Sequence, residues 1–133
     1  MSADLELQKA LWARLSGDAA LAALLGTRLH DNPPADTGFP YLTLGENETR
    51  DWSSGDSRGA EHFLAFHVYS RRGGRAEAKA VLAAIAAALE DAALALAGHV
   101  LVNLQWRGSE TRREADGLTW RGTIRFRAVT EAM

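Results

Sequence analysis

The side chains best suited to metal binding in this sequence are its four histidines. Only His62 and His67 share a predicted element, a strand, and their spacing of five residues places the two rings on opposite faces of it. Two ligands on opposite faces cannot bind one ion without distorting the backbone, and the spacing differs from the usual zinc patterns. The sequence therefore predicts no metal site.

Nucleophilic catalysis finds no support in the residues either. The chain has no cysteine, which excludes disulfides, thiolate metal sites and a cysteine nucleophile. The run from Ser53 to Ser57 lacks the glycine-x-serine-x-glycine turn that exposes a nucleophilic serine. His30 and Asp31 are adjacent, and adjacent residues rarely orient each other as catalysis requires. We predict no catalytic residue, no cofactor and a protein that is not an enzyme.

The turn from Arg71 to Arg75 has one property of an anion site. It precedes a predicted helix, and the amide groups and dipole at a helix N-terminus favour anions. The turn lacks the lysine and the spacing of a phosphate-binding loop. A hinge turn with solvated arginines is therefore the default interpretation.

A row of arginines on the last predicted strand is the clearest charged feature. Alternation points Arg121, Arg125 and Arg127 outward, and Arg107 on the preceding strand can join them. A solvated strand face explains the row, and so does a contact patch that faces a neighbouring subunit or the rest of a particle. DNA contact is a third possibility, although non-specific phosphate binding falls steeply with salt and the net charge is −2. The acidic counterparts on a neighbour would be Glu46, Glu48 and Asp51.

Residues 46–60 are rich in polar residues, glycine and charge and are predicted to form a mobile loop or arm. Trp52 lies inside this segment. A tryptophan in a polar loop often marks a contact surface, but it can equally fold back onto its own domain. We hypothesise that the segment reaches a neighbouring molecule.

Length and composition fit one domain spanning residues 1–133. With 133 residues, 47% hydrophobic and 24% charged, the chain can bury a core of its own. A pI near 6.1 does not suggest a dedicated nucleic-acid or membrane-surface binder. No basic segment leads into an apolar run at the N-terminus, so we expect no signal peptide. Glu90 and Asp91 interrupt the alanine- and leucine-rich stretch, which predicts a soluble helix and a cytoplasmic origin.

Hydrophobic periodicity predicts seven elements, in the order ααββαββ. The expected fold is α+β, with helices packed on one face of a mostly antiparallel four-stranded sheet. In the first strand of the last pair, alternation predicts that Val100, Val102, Leu104 and Trp106 point inward. The predicted elements are Asp4 to Leu15, Ala19 to Leu25, Tyr41 to Glu48, Glu61 to Ser70, Arg75 to Leu96, His99 to Arg113 and Gly117 to Val129.

Four passages carry a resemblance to a known family. They are the Asp18 to Leu25 helix followed by Gly26-Thr27-Arg28-Leu29, the proline loop running into Phe39-Pro40-Tyr41-Leu42-Thr43-Leu44, the strand Phe66-His67-Val68-Tyr69-Ser70-Arg71 that leads through Gly73-Gly74 into a helix ending near Ala88-Leu89, and the closing strand Trp120-Arg121-Gly122-Thr123-Ile124-Arg125-Phe126-Arg127. In order and spacing, over nearly the whole chain, they resemble the small tail-completion or tail-terminator proteins of long-tailed phages and gene transfer agents.

The resemblance implies a structural virion protein without catalytic residues. Such a protein forms a ring of about six subunits that caps the tail tube, stops its polymerisation and meets the head-neck connector or stopper protein. DNA passes through its channel without specific binding. The expected place is the tail-neck junction of a virion assembled in the host cytoplasm, with no membrane contact. Another head-neck component, such as a stopper or adaptor, is the nearest alternative, and a small-molecule-binding α+β domain is a more distant one.

Overall fold

Three helices pack against a six-stranded sheet in the computed structural model, which describes residues 2–133. The sheet order is β1-β2-β3-β6-β5-β4, and every neighbouring pair is antiparallel except β1 with β2, which run parallel. The helices are α1 (Ala3–Ser16), α2 (Ala19–Leu25) and α3 (Ala76–Leu89). The strands are β1 (Leu29–His30), β2 (Tyr41–Asp51), β3 (Gly59–Ser70), β4 (Ala95–Leu96), β5 (His99–Arg113) and β6 (Trp120–Ala132).

The expectation of a mostly antiparallel four-stranded sheet in the order ααββαββ is wrong. The sheet is mixed, contains six strands and curls into a half-barrel. The two unforeseen strands lie at the two edges: β1 pairs with Leu42 and Thr43 of β2, and β4 pairs with His99 and Val100 of β5. Each has only two residues, and a segment of that length shows no alternation by which it could be recognised.

The first two helices follow the leucine spacing and the capping residues. Leu7, Leu11 and Leu15 of α1 are buried against the sheet and the other helices. The Asp18 carboxylate accepts a hydrogen bond of 3.0 Å from the backbone N–H of Leu21 and so caps the start of α2. Local sequence therefore sets both the length of these helices and the face that they bury.

The third helix is shorter than predicted, because it ends at Leu89 and not at Leu96. Asp91 adopts a positive φ of 54°, and its N–H donates to the carbonyl of Leu104. The Glu90 carboxylate accepts a hydrogen bond of 2.6 Å from the backbone N–H of Trp106. The chain thus turns back along β5, and these contacts between distant residues end a run of alanines and leucines whose periodicity continues.

The inward prediction for β5 holds for Leu104 and, in direction, for Trp106, which pairs with the core residue Phe126 and borders a groove with α3. Leu104 is 1% exposed, whereas Val100, Val102 and Trp106 are each about half exposed, at 48%, 50% and 50%. The strand carries two register shifts, one between Leu101 and Asn103 and one between Trp106 and Gly108. A β-bulge adds an unpaired residue and resets the alternation. Half-buried apolar side chains therefore lie on the surface of β5.

Candidate assembly interface

The arginine row lies on the face of the sheet that points away from the helices, here called the open face. Ile124 and Phe126 of β6 are buried against the helices, so alternation places Arg121, Arg125 and Arg127 on the opposite side. The predicted outward direction of these three arginines is therefore confirmed by the burial pattern of β6. The contacts of each arginine within the chain determine whether it is available to bind another molecule.

Arg125 forms ion pairs with two carboxylates of its own chain. Its guanidinium nitrogens lie 3.1 Å from a Glu46 oxygen and 3.7 Å from a Glu110 oxygen. The other Glu46 oxygen lies 3.0 Å from Nε2 of His67, whose Nδ1 lies 2.8 Å from the Thr123 hydroxyl. The pKa of Glu46 is lowered, first by a hydrogen bond from its own backbone amide and then by the His67 ring. The centre of the open face is thus a network that crosses four strands.

Arg127 and Trp52 meet at one end of the open face. Nε of Arg127 donates a hydrogen bond of 2.6 Å to Glu61, and both side chains are largely buried. The guanidinium carbon of Arg127 lies 5.4 Å from the centre of the Trp52 ring. Trp52 is still 54% exposed. The tryptophan therefore contacts its own domain and also offers half of its surface for contact with another molecule.

The other two predicted site arginines lie apart from this network. Nε of Arg121 is 3.8 Å from Glu114, near the β5–β6 turn. Arg107 follows Trp106 at the second bulge of β5 and has no ion-pair partner within residues 2–133. With Glu46 and Glu48, it borders a groove of about 390 Å³. The structure thus brings Arg107 near two of the predicted acidic residues.

The predicted acidic residues all belong to β2. Glu46, Glu48 and Asp51 are exposed. Glu48 forms an ion pair with Arg50, and Asp51 accepts a hydrogen bond of 2.7 Å from the Ser53 hydroxyl. Residues 46–51 and 59–60 are strand residues, so the segment predicted as a loop or arm is the end of the β2–β3 hairpin with a connection at residues 52–58.

The turn from Arg71 to Arg75 uses its arginines in contacts within the chain. Nε of Arg71 donates a hydrogen bond of 3.0 Å to the Thr119 hydroxyl, and the Arg71 guanidinium carbon lies 4.3 Å from the centre of the Phe39 ring. The guanidinium carbon of Arg75 lies 4.4 Å from the Trp120 ring centre. Stacking on aromatic rings explains the position of both arginines without an anion.

Asp116 organises the neighbouring β5–β6 turn. Its pKa is lowered to about 2, chiefly by hydrogen bonds from the backbone and side chain of Thr119 and from the backbone of Leu118. Gly117 in this turn has a positive φ of 71°, as the Asp-Gly hairpin signal requires. The carboxylate therefore holds a structural turn.

His62 and His67 lie on opposite faces of β3, as alternation predicts. His62 is fully buried on the helix side, with Nε2 2.9 Å from the Thr130 hydroxyl, whereas His67 belongs to the open-face network. Within residues 2–133 no group of three or more potential ligands could hold a metal ion. In the same part of the chain, no helix has the length and apolar composition needed to cross a membrane.

The burial of His62 makes stability depend on pH. Burial is the largest cause that lowers its pKa below 6.5, with Asp4 opposing the shift and His99 adding to it. The unfolded chain therefore takes up a proton at a higher pH than the folded chain does. Stability is full above about pH 6.5 and falls as the pH drops toward the folded pKa, by at most about 1.4 kcal/mol per pH unit.

We expect denaturant titrations at several pH values between about 7 and 5 to show this loss. The control is His62→Gln, which keeps a polar side chain and removes the titration. The carboxylates titrate in both proteins, so the difference in how the free energy of unfolding changes with pH gives the contribution of His62. Equal slopes would show that His62 is not responsible.

The described residues form a half-barrel covered by helices on one side, with a charged open face and exposed apolar side chains on β5. Residues 9–131 match the model of the family described as Tail completion protein gp17. The chain therefore belongs to that family, and the resemblance found in the sequence is confirmed. It is a structural protein of a phage-like tail.

The fold is also similar to that of a solved chain. A chain from a structure described as "Virion of native gene transfer agent (GTA) particle" is 35% identical, and the match covers 98% of both chains with a TM-score of 0.92. No curated protein sequence matches this chain significantly. Family and fold thus agree on a structural virion component.

Proposed function

We propose that this protein is a tail terminator. About six copies form a ring that caps the finished tail tube, stops the addition of tube protein and joins the tail to the head-neck connector or stopper. The observation that supports the proposal most is the end-to-end match, at a TM-score of 0.92, to a chain of a gene transfer agent virion. DNA passes through the ring without sequence-specific contacts.

The surface of the subunit supports assembly with other chains. Large apolar side chains that are about half exposed or more lie on β5 and at the β5–β6 turn, namely Val100, Val102, Trp106 and Leu118. Trp106 borders a groove of about 440 Å³ between α3 and β5. These exposed apolar side chains are available for contact with other proteins.

The nearest alternative is a stopper or adaptor subunit of the same neck. The tail-completion family favours a place on the tail over one on the head. A small-molecule-binding protein is a weaker alternative, because its site needs an enclosed pocket with converging polar groups. The groove beside Trp106 is open to solvent and lined mainly by the surface of α3 and β5.

The deciding experiment mixes the purified protein with tail-tube protein of the same particle and measures tube length by electron microscopy. We expect tubes of fixed length with a ring at one end, and uncapped tubes of variable length without the protein. In a second experiment, binding of the protein to headless tails is compared with its binding to filled heads that lack tails. A terminator binds the tails, whereas binding only to the filled heads would identify a stopper and overturn the proposal.

A further inference from the structure

Two stretches of strand edge in this subunit have no partner strand within residues 2–133. On the outer side of β2, β1 pairs only with Leu42 and Thr43, which leaves residues 46–51 open. On the outer side of β5, β4 pairs only with His99 and Val100. Farther along β5 the contacts from residues 90 and 91 end at Trp106, which leaves residues 107–113 open. An open edge presents unpaired backbone N–H and C=O groups that can pair with another strand.

The two open stretches carry opposite charge. Residues 46–51, the acidic edge, contain three acidic residues and one arginine, a net charge of −2. Residues 107–113, the basic edge, contain three arginines and one glutamate, a net charge of +2. Most of these side chains are exposed. Charge therefore favours contact between unlike edges and disfavours contact between like edges.

Strand direction permits such a contact in a ring. The four long strands β2, β3, β6 and β5 are neighbours in that order and alternate in direction. When copies are related by rotation about an axis, β5 of one copy runs antiparallel to β2 of the next. The contact uses two different surfaces of the chain, as a closed ring of identical subunits requires.

The two edges lie at different positions along the strand direction, so joined copies must be shifted relative to each other along the strands. Thr49, in the middle of the acidic edge, pairs with His62 of β3, and His62 pairs with Ala128 of β6. Glu110, in the middle of the basic edge, pairs with Thr123 of β6. Opposed residues of one sheet lie on the same face, so the stagger must be an even number of residues. Placing Thr49 opposite Thr111, which pairs with Gly122, gives a stagger of six residues, the distance along β6 from Gly122 to Ala128.

A closed barrel supplies this stagger through the tilt of its strands. Four strands spaced about 4.8 Å apart span about 19 Å, and a tilt of about 35–45° shifts the next copy by about 13–19 Å, or about four to six residues. The shift of six residues that places the two edges side by side lies at the upper end of this range.

We propose that the acidic edge of each copy pairs with the basic edge of the next, so that the sheets of the ring join into one continuous antiparallel barrel. The inference rests on the proposed ring and adds the surface that closes it. It also gives a role to Glu48, Asp51 and Arg107 as residues of the contact between copies.

The absence of cysteine from the sequence allows a direct test by cross-linking. Thr49→Cys on the acidic edge and Thr111→Cys on the basic edge are made as separate proteins, mixed with tail-tube protein and treated with a short bifunctional maleimide. Ser109→Cys and Arg113→Cys replace Thr111→Cys in parallel samples, so that other registers are sampled. Asp36→Cys, at an exposed loop position that belongs to neither edge, replaces Thr49→Cys as the matched control.

We expect heterodimers from the mixture and a ladder of oligomers from a chain that carries both cysteines, with little product from the control. Rings or capped tubes without cross-linking above the control at any register would overturn the edge pairing and leave the terminator proposal standing. Cross-links without capped tubes would overturn the terminator proposal and leave the edge pairing standing. Absence of rings, capped tubes and cross-links together would overturn both.

A charge exchange tests the same contact without cysteines. Glu48→Arg places an arginine against the basic edge, and we expect a severalfold loss of ring assembly that weakens at high salt. Adding Arg112→Glu to the same chain restores opposite charges between copies and is expected to restore assembly. If the second substitution reduced assembly further, the proposed facing of the two edges would be wrong.

Discussion

Replacing Phe126 with alanine is expected to destabilise the fold by about 3–5 kcal/mol. Phe126 is 1% exposed and packs edge-to-face against Phe66, with ring centres 6.2 Å apart. The substitution removes a large apolar side chain from the centre of β6 and leaves a cavity where the helices meet the sheet. Since domains of this size have about 5–15 kcal/mol of stability in total, a large part of the fold's stability would be lost.

The measurement is the free energy of unfolding from a denaturant titration of the purified protein. Leu118→Ala is the control, because Leu118 is 64% exposed and its truncation removes little buried surface. We expect a change within about 0.5 kcal/mol for the control. A comparable loss in both variants would mean that Phe126 does not belong to the centre of the core.

Replacing Glu61 with alanine is the second change with a large expected effect, about 2–3 kcal/mol of lost stability. Glu61 accepts the 2.6 Å hydrogen bond from Arg127, and their side chains are 11% and 18% exposed. Without the carboxylate, the guanidinium remains largely buried with no charged partner. The same substitution releases Arg127 from its place beside Trp52, which is expected to change the tryptophan fluorescence.

Glu48→Ala is the matched control for the buried pair, since the side chains of Glu48 and its partner Arg50 are 56% and 60% exposed. Exposed pairs contribute little to stability because water and salt screen them. We expect a small change for Glu48→Ala and a much larger one for Glu61→Ala in the same denaturant titration. Equal losses would show that burial does not strengthen the Arg127 pair.

Ion pairs within the chain divide the predicted contact residues into two groups. Arg125 and Glu46 bind each other, and Arg127 binds Glu61. These side chains already have partners, so an interface would gain little net energy by pairing them again. Arg107 has no ion-pair partner among residues 2–133 and lies on an open edge. The proposed contact between copies therefore depends on the edges of the sheet more than on the middle of its open face.

Local patterns in the sequence determined the two N-terminal helices, the long strands and the outward direction of the arginine row. Leu7, Leu11 and Leu15 repeat at helical spacing, and Asp18 caps the next helix. The alternation of β6 assigns Ile124 and Phe126 to the core and Arg125 to the opposite face. Residues a few positions apart are sufficient for such patterns. The order of motifs along the chain also indicated the family that the comparison confirmed.

Only the tertiary structure decided the strand pairing, the end of α3 and the exposure of β5. The strands β1 and β4 exist because β2 and β5 lie beside them, and α3 ends where Asp91 meets Leu104. The bulges of β5 turn predicted core residues such as Val102 toward the surface. Each of these features depends on hydrogen bonds between residues far apart in the chain, which leave no periodic signal in the sequence.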